Sequence, residues 1–285
     1  MAFTPSRAVL ITGCSTGIGR ATALRLAKAG HSVYATARRH ESIRDLESAG
    51  CRTLALDVCS EDSMKAAVAE VESREGAVGV LINNAGYGSD GAFEEVTMEE
   101  IRRQFETNVF GLIRMTQLVL PSMRDQSFGR ILNVSSMGGQ MTLPGGAFYH
   151  ATKYAVEAMS DALRFEVAGF GIDVVIIEPG MIKTEFGNTA IAKVAAASRP
   201  GSPYEAFHKK LAEGIQDVNT GQLAVLAVEP DVVAKVMEKA INARKPKARY
   251  LITAGAHMFV GLRRILGARG FDAFLRTQFP SPGRA

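Results

Sequence analysis

Short apolar runs alternate with longer amphipathic stretches between residues 8 and 180. Continuous runs of Val, Ile and Leu are typical of parallel strands buried on both faces, and the stretches between them are typical of helices that cover a sheet. Strict alternation predicts right-handed crossovers and one α/β domain over residues 1–285, a doubly wound parallel sheet with helices on both faces. The predicted strands are Ala8–Thr12, Ser32–Ala37, Arg52–Asp57, Val80–Asn83, Arg130–Ser135, Asp173–Ile177 and Arg249–Thr253. The predicted helices are Gly17–Ala29, Glu41–Ala49, Glu61–Arg74, Met98–Met123 and Phe148–Gly169.

One segment, residues 186–221, interrupts the alternation after the sixth predicted strand. It contains an Ala-rich stretch, the breaker sequence RPGSP and a further helical run. Ligands of open α/β sheets bind at the carboxyl edge of the strands, where this insertion falls. We therefore expect a small C-terminal substrate lid, and an ordinary surface helical hairpin is an equally open interpretation.

The C-terminal extension, residues 255–285, mixes aromatic and aliphatic residues with four arginines. Such a stretch can lie on an anionic membrane surface, cover the substrate cleft or pack against a second subunit. Gly267 and Gly270 are expected to break the amphipathic helix that peripheral membrane contact needs, which makes this contact the less favoured interpretation.

Composition excludes several classes of function. Of the 285 residues, 47% are hydrophobic, so a substantial core can be buried, and the net charge of +4 comes from dispersed basic residues that give no support to a nucleic-acid partner. The three cysteines form no CxxC pair and the five histidines form no HExxH motif, so we expect no metal site. The chain enters a strand pattern almost at once and has no apolar run that spans a bilayer, so we expect a cytoplasmic protein.

A glycine-rich turn, TGCSTGIG from Thr12 to Gly19, joins the first predicted strand to the first predicted helix. Glycines permit positive φ angles and a close approach of the backbone, and a helix N-terminus attracts a pyrophosphate. A purely structural turn is the alternative, but this position between strand and helix is the one that dinucleotide binding requires.

The end of the second predicted strand indicates which dinucleotide binds. An NAD site commonly places Asp or Glu there, whereas this chain has Ala37 followed by Arg38 and Arg39. Because a guanidinium can bind a 2′-phosphate bidentately, we expect NADP(H) with Arg38 as its ligand. Solvated loop arginines are the alternative.

Tyr149 and Lys153 lie four residues apart in a predicted helix and therefore share one face. An ammonium beside a phenol favours the phenolate, so we expect Lys153 to lower the pKa of Tyr149 and to make proton exchange feasible near neutral pH. The Ser136 hydroxyl, at the end of a neighbouring strand, can hold a substrate oxygen. Together with the glycine-rich turn, these residues predict a hydride-transfer site.

Seven separated motifs, in order, resemble those of the short-chain dehydrogenase/reductase family in its ordinary-length branch. They are TGCSTGIG, LDV at 56–58, NNAG at 83–86, Asn108 within FETNVFG, NVSS at 133–136, YHATK and EPGMIKT at 178–184, and the resemblance covers residues 7–190. The resemblance implies a Rossmann-like fold, nicotinamide-dependent redox chemistry and a homodimer or homotetramer.

The resemblance also implies the roles of individual residues. Tyr149 would exchange the proton, Lys153 would hold the nicotinamide ribose, Ser136 would orient the substrate oxygen, and Asn108 would support a water-linked proton path. A core amide remains open for Asn108 and Asn83, a turn or helix-cap residue for Asp57, and a helix cap for Thr184. The implied cofactor-binding residues are Gly13, Ser15, Thr16, Gly17, Ile18, Gly19, Arg38, Asp57, Val58, Asn84, Ala85, Gly86, Tyr149, Lys153, Pro179, Gly180, Ile182 and Thr184.

The substrate is expected to be a small lipophilic alcohol or carbonyl compound. TGCSTGIG, VYATARR and EPGMIKTEF are similar to the 17β-hydroxysteroid and retinol dehydrogenase-like members, which implies a steroid-like or retinoid-like molecule. A 3-oxoacyl thioester reductase and a non-catalytic NADP-sensing protein are the alternatives. The apolar pocket candidates, each of which could equally pack in the core, are Met137, Met141, Leu143, Phe148, Met181 and Phe186.

Overall fold

Seven parallel strands form one sheet in the order β3-β2-β1-β4-β5-β6-β7, which confirms the predicted doubly wound, Rossmann-like architecture. The strand order reverses between β1 and β4, so the carboxyl ends of these two strands border a crevice where ligands of this architecture bind. The strands are β1 (Val9–Ile11), β2 (Val33–Ala37), β3 (Arg52–Ala55), β4 (Val80–Asn83), β5 (Gly129–Val134), β6 (Ile172–Pro179) and β7 (Arg249–Ile252).

A computed structural model gives this structure and describes residues 4–220, 222–280 and 282, with side chains for all of these except 218–220, 222 and 223. Residue 221 of the predicted lid and residues 281 and 283–285 of the C-terminal extension lie outside the described residues. No helix in the described part of the chain is both long enough and apolar enough to cross a membrane.

Nine α-helices are present among the described residues, and they cover both faces of the sheet. They are α1 (Gly17–Lys28), α2 (Glu61–Glu75), α3 (Met98–Phe105), α4 (Gly111–Asp125), α5 (Ala147–Val167), α6 (Phe186–Ala197), α7 (Glu205–Thr220), α8 (Pro230–Asn242) and α9 (Ala254–Arg276). Shorter 3-10 segments lie at His40–Ala49, Met137–Gly139, Ala168–Phe170 and Gln222–Leu226, and a π-helical turn spans Glu106–Phe110.

Alternate side chains of β1, β2, β4, β5 and β6 enter two separate apolar cores. In β1, Val9 and Ile11 pack with α1 and α8, whereas Leu10 packs on the opposite face with α2 and α4. Burial on both faces explains why the strands are continuously apolar in sequence. The apolar runs were therefore sufficient to locate the strands, although they did not fix the ends.

Several predicted boundaries differ from the structure. β3 ends at Ala55, two residues short, because the chain turns at Asp57, and β6 continues to Pro179. The predicted helix Met98–Met123 is interrupted by the π-helical turn, and Glu41–Ala49 belongs to a 3-10 segment. α8 was not predicted, although its apolar residues recur at helical spacing behind a first-turn proline.

The predicted lid contains two helices, α6 and α7, that pack against each other. A backbone bridge closes the base of this insert, since Val228 N–H donates to the Met181 carbonyl at 3.1 Å and Lys183 N–H donates to the Val228 carbonyl at 3.0 Å. The insert is also tied to the loop after β4, where Ala92 N–H donates to His208 Nε2 at 2.9 Å. Its action as a lid stays a prediction.

The C-terminal helix α9 packs on the loop that follows β5. Val260 and Phe271 of α9 form a buried cluster with Met141, and Arg264 donates a hydrogen bond of 2.6 Å to Gln140 Oε1. The backbone leaves helical geometry at Gly267, as predicted, whereas Gly270 stays within the helix.

A buried arginine connects the sheet to α8. Arg130, at the start of β5, is 4% exposed and donates to the carbonyls of Ala240, Ile241 and Ala243 at the C-terminal end of α8. It also pairs with Asp173 at 2.8 Å. Because the last carbonyls of a helix have no partner within the helix, Arg130 satisfies groups that would otherwise be buried without one.

We predict that Arg130→Met lowers the free energy of unfolding by about 3 kcal/mol, because it leaves these carbonyls unsatisfied. Urea unfolding followed by circular dichroism measures the change. The matched control is Arg124→Met on the surface of α4, where the expected change is within about 0.5 kcal/mol. Equal effects of the two substitutions would contradict this role for Arg130.

Candidate active site

The glycine-rich turn brings two backbone segments into close contact at the end of β1. Gly13 has a φ of +75°, in the left-handed region that favours glycine. A methyl group added at Gly19 would lie 2.4 Å from the carbonyl oxygen of Gly13. Thr16 makes no side-chain cap on α1, and both Ser15 and Thr16 are exposed. The turn therefore presents a bare helix N-terminus suited to an anion.

The end of β4 holds this turn in place. Asn84 Nδ2 donates to the carbonyls of Thr12 and Gly13, both at 2.9 Å, and the Asn84 and Ala85 N–H groups donate to Thr12 Oγ1 at 3.0 Å. A methyl group added at Gly13 would lie 2.9 Å from Ala85 Cα. Asn84 and Ala85 therefore support the turn. Asn83 donates to Thr116 and Asn133 and is a core amide, which agrees with the alternative interpretation of this residue from the sequence.

Asp57 and Val58 lie next to this region and have structural contacts. Asp57 Oδ1 accepts a 3.0 Å hydrogen bond from Cys59 N–H, the arrangement of a turn residue. Val58 is buried in the core beneath α4. Ile18 packs against the opposite core. Their predicted contacts with a cofactor stay predictions.

Two free guanidinium groups follow β2. Arg38 and Arg39 are exposed, and within the described part of the chain neither side chain makes a hydrogen bond or an ion pair. Most other arginines near them are paired, for example Arg20 with Asp45 and Arg52 with Glu75. The end of β2 thus has positive charge available for an anionic ligand.

The segment after β6 reaches back to the glycine-rich turn. A methyl group added at Gly17 would lie 3.2 Å from Thr184 Cγ2, so the Thr184 side chain lies against this turn. Thr184 Oγ1 also accepts a 3.3 Å hydrogen bond from Phe186 N–H at the start of α6, consistent with the cap alternative. Pro179 ends β6, Gly180 N–H donates to the Ile252 carbonyl, and Ile182 forms the bridge to Val228.

The proposed catalytic side chains meet at the carboxyl end of β5. Lys153 is buried, and its Nζ donates to the Val134 carbonyl at 2.8 Å and lies 5.7 Å from the centroid of the Tyr149 ring. Ser136 stands at the start of a 3-10 turn, and its Oγ accepts a 3.0 Å hydrogen bond from Gly138 N–H. Ser135 is buried and turned away from the site towards Gly139.

The pKa of Tyr149 shifts in the direction opposite to the one predicted. Burial raises the pKa of Tyr149 to about 12, the nearby Ser136 hydroxyl lowers it, and the charge of Asp90 raises it. Burial also lowers the pKa of Lys153 to about 8, while Glu157 raises it. The expected lowering fails because Lys153 is directed at a backbone carbonyl and desolvation of the phenol dominates. Tyr149 is a neutral phenol at pH 7.

Asn108 lies in the π-helical turn, a local irregularity that is frequent at functional sites. Its Nδ2 donates to the Tyr87 carbonyl at 2.9 Å and to Thr152 Oγ1 at 3.1 Å, and its Oδ1 accepts from Tyr87 N–H. Gly86 separates it from Lys153, because a methyl group there would lie 3.0 Å from Asn108 Oδ1 and 3.8 Å from Lys153 Nζ. These bonds fit a satisfied core amide, and a proton path through Asn108 stays a prediction.

Five of the six apolar pocket candidates divide into two groups, and the sixth, Met181, accepts the Val228 N–H bond at the base of the insert. Met137, Met141 and Leu143 pack against α9, which is core packing. Phe186 lies in the site, with its ring centroid 5.3 Å from that of Tyr149, and Phe148 pairs with Phe93 at 4.8 Å.

Sequence reasoning missed Asp90, in the loop after β4. Its charge influences Tyr149, and burial raises the pKa of Asp90 to about 7. The available signal was one carboxylate in the segment GYGSDGAF, which otherwise has no charge.

Comparison with known sequences gives a consistent family. The family profile described as short chain dehydrogenase matches residues 7–195. A 3-ketodihydrosphingosine reductase of Bacteroides thetaiotaomicron is 45% identical over 179 residues, a match that spans 62% of this chain and 65% of that relative. An NADPH-dependent 3-dehydrocapnine reductase of Ornithobacterium rhinotracheale is 32% identical over 93% of this chain and 95% of its own.

Solved structures agree with the sequence comparison. A short-chain dehydrogenase from Streptomyces avermitilis has a TM-score of 0.77 and 33% identity, and covers 95% of this chain and 98% of its own. The closed form of a serine dehydrogenase complexed with NADP+ has a TM-score of 0.75 and 27% identity, and covers 87% of this chain and 95% of its own.

The buried Lys153 predicts a particular dependence of stability on pH. Its pKa in the folded protein, about 8, is below its ordinary value of 10.5, so the unfolded chain binds more protons between these values and stability rises with pH there. We predict that, relative to Lys153→Met, the wild-type protein gains about 2–3 kcal/mol of unfolding free energy between pH 7 and pH 10.

Urea unfolding of both proteins at each pH measures this difference. Lys210→Met, at an exposed position of α7, is the matched control and should show no such gain. A parallel pH dependence of the wild-type and Lys153→Met proteins would refute the shifted pKa.

Proposed function

The chain belongs to the short-chain dehydrogenase family and is an oxidoreductase, and from this premise we propose that it reduces the carbonyl group of a lipophilic ketone with NADPH. Oxidation of the alcohol with NADP+ is the reverse reaction. The observation that carries the proposal is that Ser136, Tyr149 and Lys153 meet at the end of β5, beside the glycine-rich turn.

The residues present fit a dinucleotide. Gly13 and Gly19 allow the close backbone packing that forms the turn, and the N-terminus of α1 is uncapped. Arg38 is a free guanidinium for a 2′-phosphate, which favours NADP(H) over NAD(H). Pro179, Gly180, Ile182 and Thr184 would hold the nicotinamide end, and Lys153 the ribose. When bound, NADP(H) supplies the hydride.

The protein's own part is proton transfer and orientation. Because Tyr149 is a neutral phenol at pH 7, it can donate its proton to the carbonyl oxygen, which becomes the hydroxyl oxygen of the product. Ser136 can hold the same oxygen by a hydrogen bond. Lys153, with a pKa of about 8, can return a proton to Tyr149 near neutral pH, and Asn108 positions the backbone beside it.

Two relatives support a ketone with an apolar chain as the substrate. Their names describe a 3-ketodihydrosphingosine reductase and a 3-dehydrocapnine reductase. In this chain the Phe186 ring lies against Tyr149, so the reacting carbon has an apolar neighbour. A steroid-like or retinoid-like ketone and a 3-oxoacyl thioester are the alternative substrates. Comparison of the reduction rates of these compounds, as described below, distinguishes them.

We also infer a homodimer or homotetramer in the cytoplasm. The exposed apolar side chains Phe110 and Phe165, the latter 88% exposed, support association between copies. The ordered packing of α9 on the loop after β5 supports a structural role for the tail rather than membrane attachment.

We predict that Tyr149→Phe lowers kcat for ketone reduction by 100-fold or more, about the contribution of a positioned general acid, and changes NADPH affinity by less than about threefold. NADPH oxidation at 340 nm with 3-ketodihydrosphingosine, a steroid ketone and a 3-oxoacyl thioester measures the rate, and calorimetry measures cofactor affinity. The control is Tyr154→Phe at an exposed position one residue beyond Lys153, which should keep wild-type turnover. Normal reduction by the Tyr149→Phe variant refutes the assignment, and binding of NADPH without turnover of any ketone favours an NADP sensor.

We predict that Arg38→Ala raises the KM for NADPH by 10-fold or more and leaves the KM for NADH within about twofold, because only NADPH carries the 2′-phosphate. Arg39→Ala is the matched control, since its position is equally exposed and one residue further from β2. Equal changes for the two cofactors would remove the proposed role of Arg38. An acid introduced by Ala37→Asp would be a less direct test of cofactor choice, because Ala37 is buried in the core.

A further inference from the structure

A carboxyl group without a protein partner lies close to Tyr149. Asp90 is in the loop that follows β4, between the buried residues Ser89 and Gly91. Its side chain is partly buried, and among the described residues it makes no hydrogen bond and no ion pair. Most buried or partly buried acids of this chain are bonded, for example Glu178 to Gln140 and Glu157 to Arg249. Asp90 is therefore an exception that needs a physical explanation.

The geometry places Asp90 in the wall of the proposed substrate pocket. A methyl group added at Gly88 would lie 3.7 Å from Asp90 Oδ2 and 2.7 Å from Phe186 Cζ, so the carboxylate and the Phe186 ring border the same small space. The Phe186 ring in turn lies 5.3 Å from the Tyr149 ring. The charge of Asp90 also acts on the Tyr149 phenol, which shows that the two groups share one electrostatic environment.

The cationic side chains near this space, among the described residues, already have hydrogen-bond or ion-pair partners. Lys153 Nζ donates to the Val134 carbonyl, and Lys193 pairs with Glu100 at 2.9 Å. His208, which approaches the same loop at Gly91, accepts from Ala92 N–H and faces Glu95. A carboxylate in a largely apolar site is destabilised unless a cation or several donors meet it. A bound cationic ligand can supply the positive charge that these groups do not offer to Asp90.

We propose that Asp90 is a specificity-determining residue that binds an ammonium group of the substrate, beside the carbonyl group that Tyr149 protonates. The substrate class is then an amino ketone, or an amino alcohol in the reverse direction. An ammonium fits better than a larger cation, because the edge of the Phe186 ring lies close to Gly88, beside the Asp90 carboxylate. This inference rests on the proposed ketone reduction and narrows its substrate.

Asp90→Asn tests the proposal, because it keeps the shape of the side chain and removes the charge. The substrates are a long-chain ketone with an amino group on the carbon next to the carbonyl, and the same ketone with hydrogen in place of that amino group. We expect the wild-type protein to prefer the amino ketone, and the ratio of kcat/KM for the two substrates to fall about 100-fold in Asp90→Asn, mainly through KM. Glu99→Gln, at an exposed position of α3, should keep the wild-type ratio.

Two further measurements make the result decisive. A long-chain alkylammonium should inhibit the wild-type protein competitively and Asp90→Asn at least about 10-fold more weakly. Because the pKa of Asp90 is raised from 3.8 to about 7 in the folded protein, the carboxyl group destabilises the fold increasingly between these pH values and to a constant extent above them. Asp90→Asn should therefore melt at a higher temperature than the wild type at pH 8, and the difference should shrink as the pH falls towards 4. A variant with this stability is folded.

The possible failures are distinguishable. An unchanged ratio in Asp90→Asn, or a wild-type protein without preference for the amino ketone, overturns the ammonium site while ketone reduction stands. Failure of the wild-type protein to reduce either ketone with NADPH overturns the proposed function itself.

Discussion

The close approach of three backbone segments at the end of β1 is the constraint on which the rest of the site depends. Gly13 lies against Ala85 and against Gly19, at distances that leave no room for a side chain. Thr12 and Asn84 fix this approach with hydrogen bonds that join β1 to β4. Because these strands border the point where the strand order reverses, the same contacts form the crevice, orient α1 and set the position from which β5 presents Ser136.

The second half of the site depends on desolvation. Burial raises the pKa of Tyr149 and lowers the pKa of Lys153, and both shifts favour the neutral form of the side chain. The Tyr149 phenol therefore keeps its proton in the resting protein. The arrangement costs folding free energy at Lys153, a common feature of functional sites. Asp90 adds to the same environment, because its charge opposes formation of a phenolate at Tyr149.

Features that depend on local sequence could be predicted, and features that depend on distant packing could not. β4 was placed at Val80–Asn83 without any shift, and the glycine-rich turn was recognised because glycine has a local conformational meaning. The π-helical turn at Glu106–Phe110 has an ordinary helical sequence pattern, so the local sequence does not distinguish it from an α-helix. The pKa of Tyr149 was predicted in the wrong direction because it is set by burial and by residues 90 and 136, which are distant in sequence from residue 149.

The bridge between Ile182 and Val228 makes the segment between them an exchangeable module. Its two ends are fixed to each other by this bridge, so its length and sequence affect the rest of the fold through loop closure and through its contacts with the loop after β4 and with Tyr149. Doubling the length of a flexible loop costs only about 0.6 kcal/mol. Evolution can therefore replace α6 and α7, and with them the Phe186 wall of the pocket, while the sheet and the glycine-rich turn stay intact. New substrates become accessible to one inherited oxidoreductase scaffold.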